Sequence, residues 1–101
     1  MNIRIHGGNI EVTKTLRAHI ERRVGLALGR FGEQIGPVEV RFCDTPGANG
    51  KVEKECHIIV GLLRSLRVAE ADADLYAALD RAADRAARSV ARELELQRST
   101  H

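Results

Sequence analysis

The sequence is poor in aromatic side chains and has no long apolar run. Its 101 residues include no tryptophan, one tyrosine and two phenylalanines. No apolar stretch approaches the roughly 20 residues that a membrane-spanning helix requires, so we expect no membrane partner. The first residues, Met1 to Arg4, lead into no signal-like hydrophobic segment. The expected location is therefore the cytoplasm.

The sequence also lacks the motifs that most often mark an active site. It contains no phosphate-binding glycine loop, no metal-ligand spacing and no nucleophile elbow. Cys56 and His57 are adjacent, but neighbours on a strand point to opposite faces and cannot form a nucleophile–base pair. We therefore expect a protein that is not an enzyme and that uses no cofactor, no metal and no small-molecule substrate.

Two carboxylates in the C-terminal part of the chain, Asp80 and Asp84, are spaced one helical turn apart. Paired carboxylates can serve as a general acid and a general base, but these two stand beside Arg81 and Arg88. Ordinary ion pairs within one helix explain them, so no acid–base role is predicted.

The spacing of apolar side chains predicts four strands and two helices. Apolar and polar residues alternate in the strands and recur at helical spacing in the helices. Thr13 is a good N-cap for the first helix, and Gly32 is a residue at which that helix can stop. In chain order the predicted elements are a short strand at 3–6, a helix from Thr13 to about Arg30, a strand from Val38 to Cys43, a turn at Asp44–Gly50, a strand at Lys51–Leu62, a connection at Leu63–Ser65, a strand that contains Leu66 and Val68, and a helix that starts at Asp72–Asp74.

This order predicts an α+β fold, β-α-β-β-β-α, that occupies residues 1–101 as a single domain. A helix joins the first two strands, so these should be parallel, and the remaining strands should form a meander. Each helix has one apolar stripe, which predicts a two-layer sandwich with both helices on one face of a four-stranded mixed sheet. The other face carries charges of both signs and is expected to be solvated. Alternation places Cys43 and Cys56 on opposite faces, so we expect two reduced thiols.

A row of arginines on the last helix is the strongest functional signal. Its members are spaced four, three and four residues apart, and on an α-helix they fall within an arc of about 60°. They are Arg81, Arg85, Arg88 and Arg92. Guanidinium groups match phosphate oxygens in a fork, so the row indicates a polyanionic partner. A charged helix face that serves only solubility is the alternative.

The first helix carries a second basic group, Arg22, Arg23 and Arg30, beside its apolar stripe. Packed side by side, the two helices should place both groups on one positive surface, although the net charge of the chain is only +2. Such an asymmetry is what recognition of an RNA backbone requires. Aromatic residues that could stack on unpaired bases are missing from this surface, Tyr76 excepted. That absence favours folded RNA recognised by shape and by phosphate contacts.

Two segments of the sequence match the patterns of a known family. Residues 74–80 read D-L-Y-A-A-L-D and are similar to the signature D-[ML]-Y-x-A-I-[DN], and the basic positions that follow it match Arg85, Arg88 and Arg92. Residues 3–17 match the pattern I-x-I-x-G-x-x-[IVM]-E-[VI]-T-x-x-[LI]-R. Over nearly its whole length the chain therefore resembles the ribosome hibernation-promoting factors, also called ribosome-associated inhibitors or sigma-factor modulation proteins.

The resemblance implies a stationary-phase or stress protein that binds the small ribosomal subunit and its 16S-type rRNA, with ribosomal proteins as further contacts. Such proteins occupy the channel of messenger and transfer RNA and block translation reversibly. Because the chain ends at His101, the resemblance implies a short form without the dimerisation domain of the long forms. The main phosphate contacts are expected to be Arg85, Arg88 and Arg92, with Arg81, Arg22, Arg23 and Arg30 in a second rank.

The sequence departs from the family pattern at several places. Glu93 and Glu95 follow the arginine row where the family often continues with lysines, and Leu26 stands where a lysine is common. The loop Pro46–Gly50 and the paired glycines at 7 and 8 also differ. An altered affinity for the ribosome is therefore left open.

Two other functions stay open beside the ribosome-binding translation inhibitor. One is a general double-stranded-RNA-binding module of similar shape, and the other is a protein-interaction domain that docks an acidic partner. We expect a monomer in each case, because the predicted helices leave no exposed apolar stripe.

Overall fold

The strands and helices form in the predicted order. The computed structural model describes residues 1–99. It contains β1 (Ile3–His6), α1 (Lys14–Leu28), a 3-10 helix (Gly29–Gln34), β2 (Val38–Pro46), β3 (Val52–Val60), β4 (Leu66–Asp72) and α2 (Leu75–Ser99). The sheet has the order β1-β2-β3-β4, with β1 parallel to β2 and the other pairs antiparallel. The predicted α+β arrangement of a four-stranded mixed sheet with two helices is confirmed.

One sheet face and the apolar stripes of both helices enclose the core. Val40 of β2 and Ile58 of β3 are paired across the ladder, and both are fully buried. Ile20 of α1 and Leu79 of α2 belong to the same cluster of buried residues. Both helices therefore cover the same face of the sheet. The side of α2 that contacts β3 and β4 is rich in alanine, and these small side chains let the helix lie close to the strands.

The two cysteines lie on opposite sides of the sheet, as the alternation predicts. Cys43 is exposed, Cys56 is buried in the core, and both are free thiols. Burial raises the pKa of Cys56 to about 12, so this thiol stays protonated and unreactive near neutral pH. The prediction of two unpaired cysteines is confirmed.

The start of α1 follows the predicted capping, whereas its end differs. The Thr13 hydroxyl accepts a hydrogen bond of 3.1 Å from the Leu16 N–H, as an N-cap should. The α-helix ends at Leu28, and a 3-10 helix continues the chain to Gln34. Gly32 lies inside that segment with a φ of +54°, a conformation that favours glycine. No helix among residues 1–99 combines the length and apolarity that crossing a membrane demands.

The hairpin between β2 and β3 is tighter than predicted. We predicted a turn over Asp44–Gly50, but β2 continues to Pro46 and β3 begins at Val52. Gly47 donates its N–H to the carbonyl of Lys51 at 2.7 Å, so the preceding residue, Pro46, directs its nitrogen away from β3. On that side β1 pairs with Val38 to Arg41 only. Pro46 therefore lies at the end of β2 on an edge that no other strand covers. Its missing N–H removes no hydrogen bond from the sheet there.

Candidate nucleic-acid interface

The predicted arginine row lies along the solvent side of α2. The opposite side of the helix buries residues such as Leu79, Ala83 and Val90 against the sheet and α1. All members of the row are exposed. Their surroundings nevertheless divide them into two pairs, one bound to β4 and one without a charged partner among residues 1–99.

Arg81 and Arg85 are tied to the edge strand β4. Arg81 places Nη1 at 2.8 Å from Asp72 Oδ2 and Nε at 3.4 Å from Glu70 Oε1, and it also donates from Nη2 to the Ala71 carbonyl. Arg85 donates from Nη1 to Glu70 Oε2 at 2.9 Å and to the Ala69 carbonyl at 3.1 Å. Both side chains stay about half exposed, at 50% and 52%. The two carboxylates therefore balance two of the four positive charges.

The sequence patterns alone do not reveal the carboxylate partners of Arg81 and Arg85. Glu70 and Asp72 follow Val68 at every second position of β4, which places them on the helix-covered side of the sheet. The alternation along β4 therefore predicts which face carries these two carboxylates. Which arginines they bind depends on where α2 lies over the edge strand β4, and the sequence pattern does not give that position. The Asp74 N–H donates to Asp72, and together with Arg81 it holds the pKa of Asp72 below its usual range.

Arg88 and Arg92 form the second pair. In the part of the chain that the structure describes, neither makes an ion pair or a hydrogen bond to a carboxylate, and both are exposed. Arg88 lies at the rim of a shallow cavity with Arg81, Glu70 and Asp84. Farther along the helix, the Glu95 carboxylate is engaged by Arg98 at 3.0 Å rather than by Arg92. These two guanidinium groups thus carry the uncompensated charge of the row.

Arg23 joins the two helices instead of pointing freely to solvent. Its Nη2 lies 2.6 Å from Asp84 Oδ1, and its Nε lies 3.2 Å from Asp80 Oδ1. His19, one turn earlier on α1, places Nε2 at 3.2 Å from the same Asp80 oxygen. The Arg23 side chain is only 24% exposed, and its hydrogen bond to Asp84 raises the pKa of the guanidinium.

The predicted ion pairs of Asp80 and Asp84 with Arg81 and Arg88 are wrong. Both carboxylates lie on the flank of α2 that faces α1, where Arg23 binds them. Arg81 lies about 100° farther round the helix from Asp80, and it turns to the β4 edge instead. The carboxylates therefore serve the contact between the helices.

Arg22 and Arg30 are exposed on the outer side of the α1 region. Arg22 borders a small cavity together with Arg23 and Leu26, and the Leu26 side chain is 71% exposed. Arg30 lies over the ring of Phe31, with the guanidinium carbon 4.7 Å from the ring centre. Neither arginine has a carboxylate partner among residues 1–99.

Tyr76 and Asp74 fix the start of α2. The Asp74 carboxylate accepts a hydrogen bond of 3.0 Å from the Tyr76 N–H, which caps the helix. The Tyr76 ring meets the His19 ring edge to face, with 4.9 Å between the ring centres. Asp74 thus caps α2, and Tyr76 adds a second contact between the helices.

The family model described as "Sigma 54 modulation protein / S30EA ribosomal protein" matches residues 3–98. The chain belongs to this family. Among solved structures, the Protein Y N-terminal domain of Thermus thermophilus is 34% identical, with a TM-score of 0.73 over 91% of this chain and 98% of that one. A ribosomal subunit interface protein from Coxiella burnetii has a TM-score of 0.75 over 94% and 99% of the two chains. At 15% identity it shows a shared fold alone.

Membership of the sigma 54 modulation protein / S30EA ribosomal protein family confirms the resemblance drawn from the two sequence patterns. Family membership also indicates a ribosome-associated role for the protein. A comparison with curated proteins gave no match.

Proposed function

We propose that this protein binds the small ribosomal subunit, occupies the channel of messenger and transfer RNA, and blocks translation reversibly during stationary phase or stress. It acts in the cytoplasm as a single-domain monomer over residues 1–101, and it is a binding protein rather than an enzyme. Family membership supports the ribosome as the partner. The basic surface of α1 and α2 supports RNA as the chemical target.

The observation that carries this proposal is the state of Arg88 and Arg92. They are exposed, and in the described part of the chain no carboxylate neutralises them. Four residues on one helix are separated by about 6 Å along the axis, so the two guanidinium groups can meet successive phosphates of one RNA strand. Because each keeps its full fork of donors, neither has to break an internal bond on binding.

The remaining arginines contribute in different ways. Arg85 uses Nη1 for its bonds to β4 and keeps its other donors for a phosphate, so it forms the main contact set with Arg88 and Arg92. Arg22 and Arg30 extend the surface onto the α1 side. Arg81 and Arg23 belong to the second rank, because each is held by two carboxylates.

Co-sedimentation with purified small ribosomal subunits tests the proposal. The variant is Arg88→Ala/Arg92→Ala, and its matched control is Lys51→Ala/Arg64→Ala. The control removes the same charge from exposed residues in the two strand connections, outside both helices. We expect the variant to bind at least about tenfold more weakly, since a hydrogen bond to a charged group contributes about 1.5 kcal/mol or more. The control should bind as the wild type does.

Three other results would overturn the proposal. Equal loss in both variants would mean that bulk charge, not the α2 surface, drives binding. Wild-type binding to a plain RNA duplex as tight as to the small subunit would favour a general double-stranded-RNA-binding module. Binding that neither variant weakens, together with capture of an acidic protein through the helix faces, would favour a protein-interaction domain.

A further inference from the structure

A cluster of possible metal ligands lies on the sheet face opposite the helices. Cys43 of β2 and Glu55 of β3 are direct partners in the ladder, and His57 follows two residues along β3 on the same face. One ligand atom from each residue lies within 4.8 Å of the other two. Cys43 Sγ is 3.6 Å from Glu55 Oε1, and His57 Nε2 is 2.7 Å from the same oxygen.

The polar bonds that the structure gives to this cluster run between its own members. Nearby cations are engaged elsewhere, because Arg41 binds Glu39 at 3.0 Å and Lys54 binds Asp44 at 2.7 Å. Glu55 is therefore not neutralised by either of them. The second ring nitrogen of its histidine partner, Nδ1, is buried and has no hydrogen-bond partner within residues 1–99. The ring is thus held through Nε2 alone.

Access to the cluster is open. Cys43 is exposed, and Glu55 and His57 are half-buried. Cys43 and His57 also line a shallow surface cavity of about 270 Å³ together with His6 and Arg67. A hydrated ion can therefore reach the three side chains from solvent without any movement of the backbone.

We propose that Cys43, Glu55 and His57 bind one zinc ion on this face, with a water molecule at the fourth position. Thiolate sulfur, imidazole nitrogen and carboxylate oxygen are the ligand types that zinc accepts, and sulfur disfavours magnesium and calcium. Zinc bonds of about 2.0 to 2.3 Å in a tetrahedron separate neighbouring ligand atoms by about 3.3 to 3.8 Å. The sulfur–oxygen distance of 3.6 Å already fits, and the nitrogen–oxygen distance of 2.7 Å must lengthen by less than about 1 Å.

Zinc binding includes one proton transfer. In the free protein the Cys43 thiol donates its hydrogen to Glu55 Oε1. On binding, the S–H bond breaks, the zinc–sulfur bond forms, and the proton goes to solvent. No electron is transferred, and no other reactant is needed.

The zinc site is independent of the proposed ribosome contact. It lies on the sheet face that the helices leave open, whereas the arginine surface lies on the helices themselves. A bound ion would join β2 to β3 beside their hairpin. A failure to bind zinc would therefore not contradict the proposed function, and a failure to bind ribosomes would not contradict the zinc site.

A cobalt titration of the untagged chain of 101 residues tests the proposal. The protein is kept reduced without thiol reagents, and Co²⁺ serves as the probe because thiolate coordination gives a charge-transfer absorption that other ligands do not. We expect this absorption to saturate at one equivalent and to disappear when Zn²⁺ is added. Absence of the absorption in the folded wild type would overturn the proposal.

Variants then assign the ligands. Cys43→Ser and His57→Gln should each weaken zinc binding at least about tenfold, the loss that even an outer-shell partner causes in known sites. His6→Gln is the matched control, because this histidine lines the same cavity but lies outside the cluster. Circular dichroism verifies that each variant is folded. A control that loses as much affinity as Cys43→Ser would place the ion elsewhere and refute the assignment.

Discussion

Arg23 of α1 and Asp84 of α2 are joined by a hydrogen bond of 2.6 Å between Nη2 and Oδ1. The same guanidinium lies 3.2 Å from Asp80 through Nε, so one side chain holds two carboxylates of the neighbouring helix. Arg22, the preceding residue, is exposed and has no such partner among residues 1–99. Adjacent arginines of one helix thus differ in what they do. Arg23 stabilises the packing of the helices, and Arg22 is available to a phosphate.

The first prediction separates these two roles. Arg23→Ala should lower the free energy of unfolding by about 1 to 2 kcal/mol, because it leaves two half-exposed carboxylates without their cation. Arg22→Ala should change stability by less than about 0.5 kcal/mol, as exposed residues usually do. Urea unfolding measures both values. Equal losses of stability would contradict the assignment of the helix contact to Arg23.

The second prediction concerns acid stability. The N–H of Asp74, and then Arg81, lower the pKa of Asp72 in the folded state. The ionised carboxylate therefore stabilises the fold above the pKa of about 4 that an aspartate has in the unfolded chain. This contribution is lost as the pH falls through the lower folded value.

Asp72→Asn should therefore lose less stability than the wild type when the pH is lowered from 6 to 3. Urea unfolding at the two pH values measures the difference. Glu33→Gln is the control, because Glu33 is exposed and has no ion-pair partner in the described part of the chain. An Asp72→Asn variant that loses as much stability as the control would contradict the role of Asp72.

The third prediction concerns competition for the arginine row. The Glu70 carboxylate binds both Arg81 and Arg85, so it competes with any phosphate for their donors. Glu70→Gln should raise the affinity for small ribosomal subunits about two- to fivefold, the equivalent of about 0.5 to 1 kcal/mol for an exposed ion pair. Glu11→Gln, an exposed change on the loop before α1, should leave the affinity unchanged. Unchanged affinity in the Glu70 variant would mean that these arginines do not touch RNA.

Local sequence signals sufficed for most of the fold. Alternation along β2 and β3 placed Val40 and Ile58 in the core, because one face of each strand must be buried. Thr13 and Asp74 indicated where the two helices start, because a side-chain acceptor must satisfy the first N–H groups of a helix. Pro46 was misassigned to a turn, since its place in a strand depends on β1 ending short of it.

The candidate sites were less predictable, because they depend on which side chains meet in space. The sequence patterns identified the arginines of the basic surface on α1 and α2. They could not show that Arg81 and Arg85 bind the β4 edge or that Arg23 binds across to α2. Alternation also placed Cys43 and His57 on the sheet face opposite Cys56, but it did not give the ladder register that brings them together.

The salt dependence of binding to the small ribosomal subunit tests the central claim most directly. If about five guanidinium groups contact phosphates, the wild-type affinity should fall roughly 10²- to 10³-fold between 50 and 200 mM salt. Arg88→Ala/Arg92→Ala should reduce the slope of log affinity against log salt by about two, one for each lost phosphate contact. Lys51→Ala/Arg64→Ala should keep the wild-type slope. A double variant at Arg88 and Arg92 with an unchanged slope, while folded, would contradict the claim that these two arginines hold the ribosomal RNA.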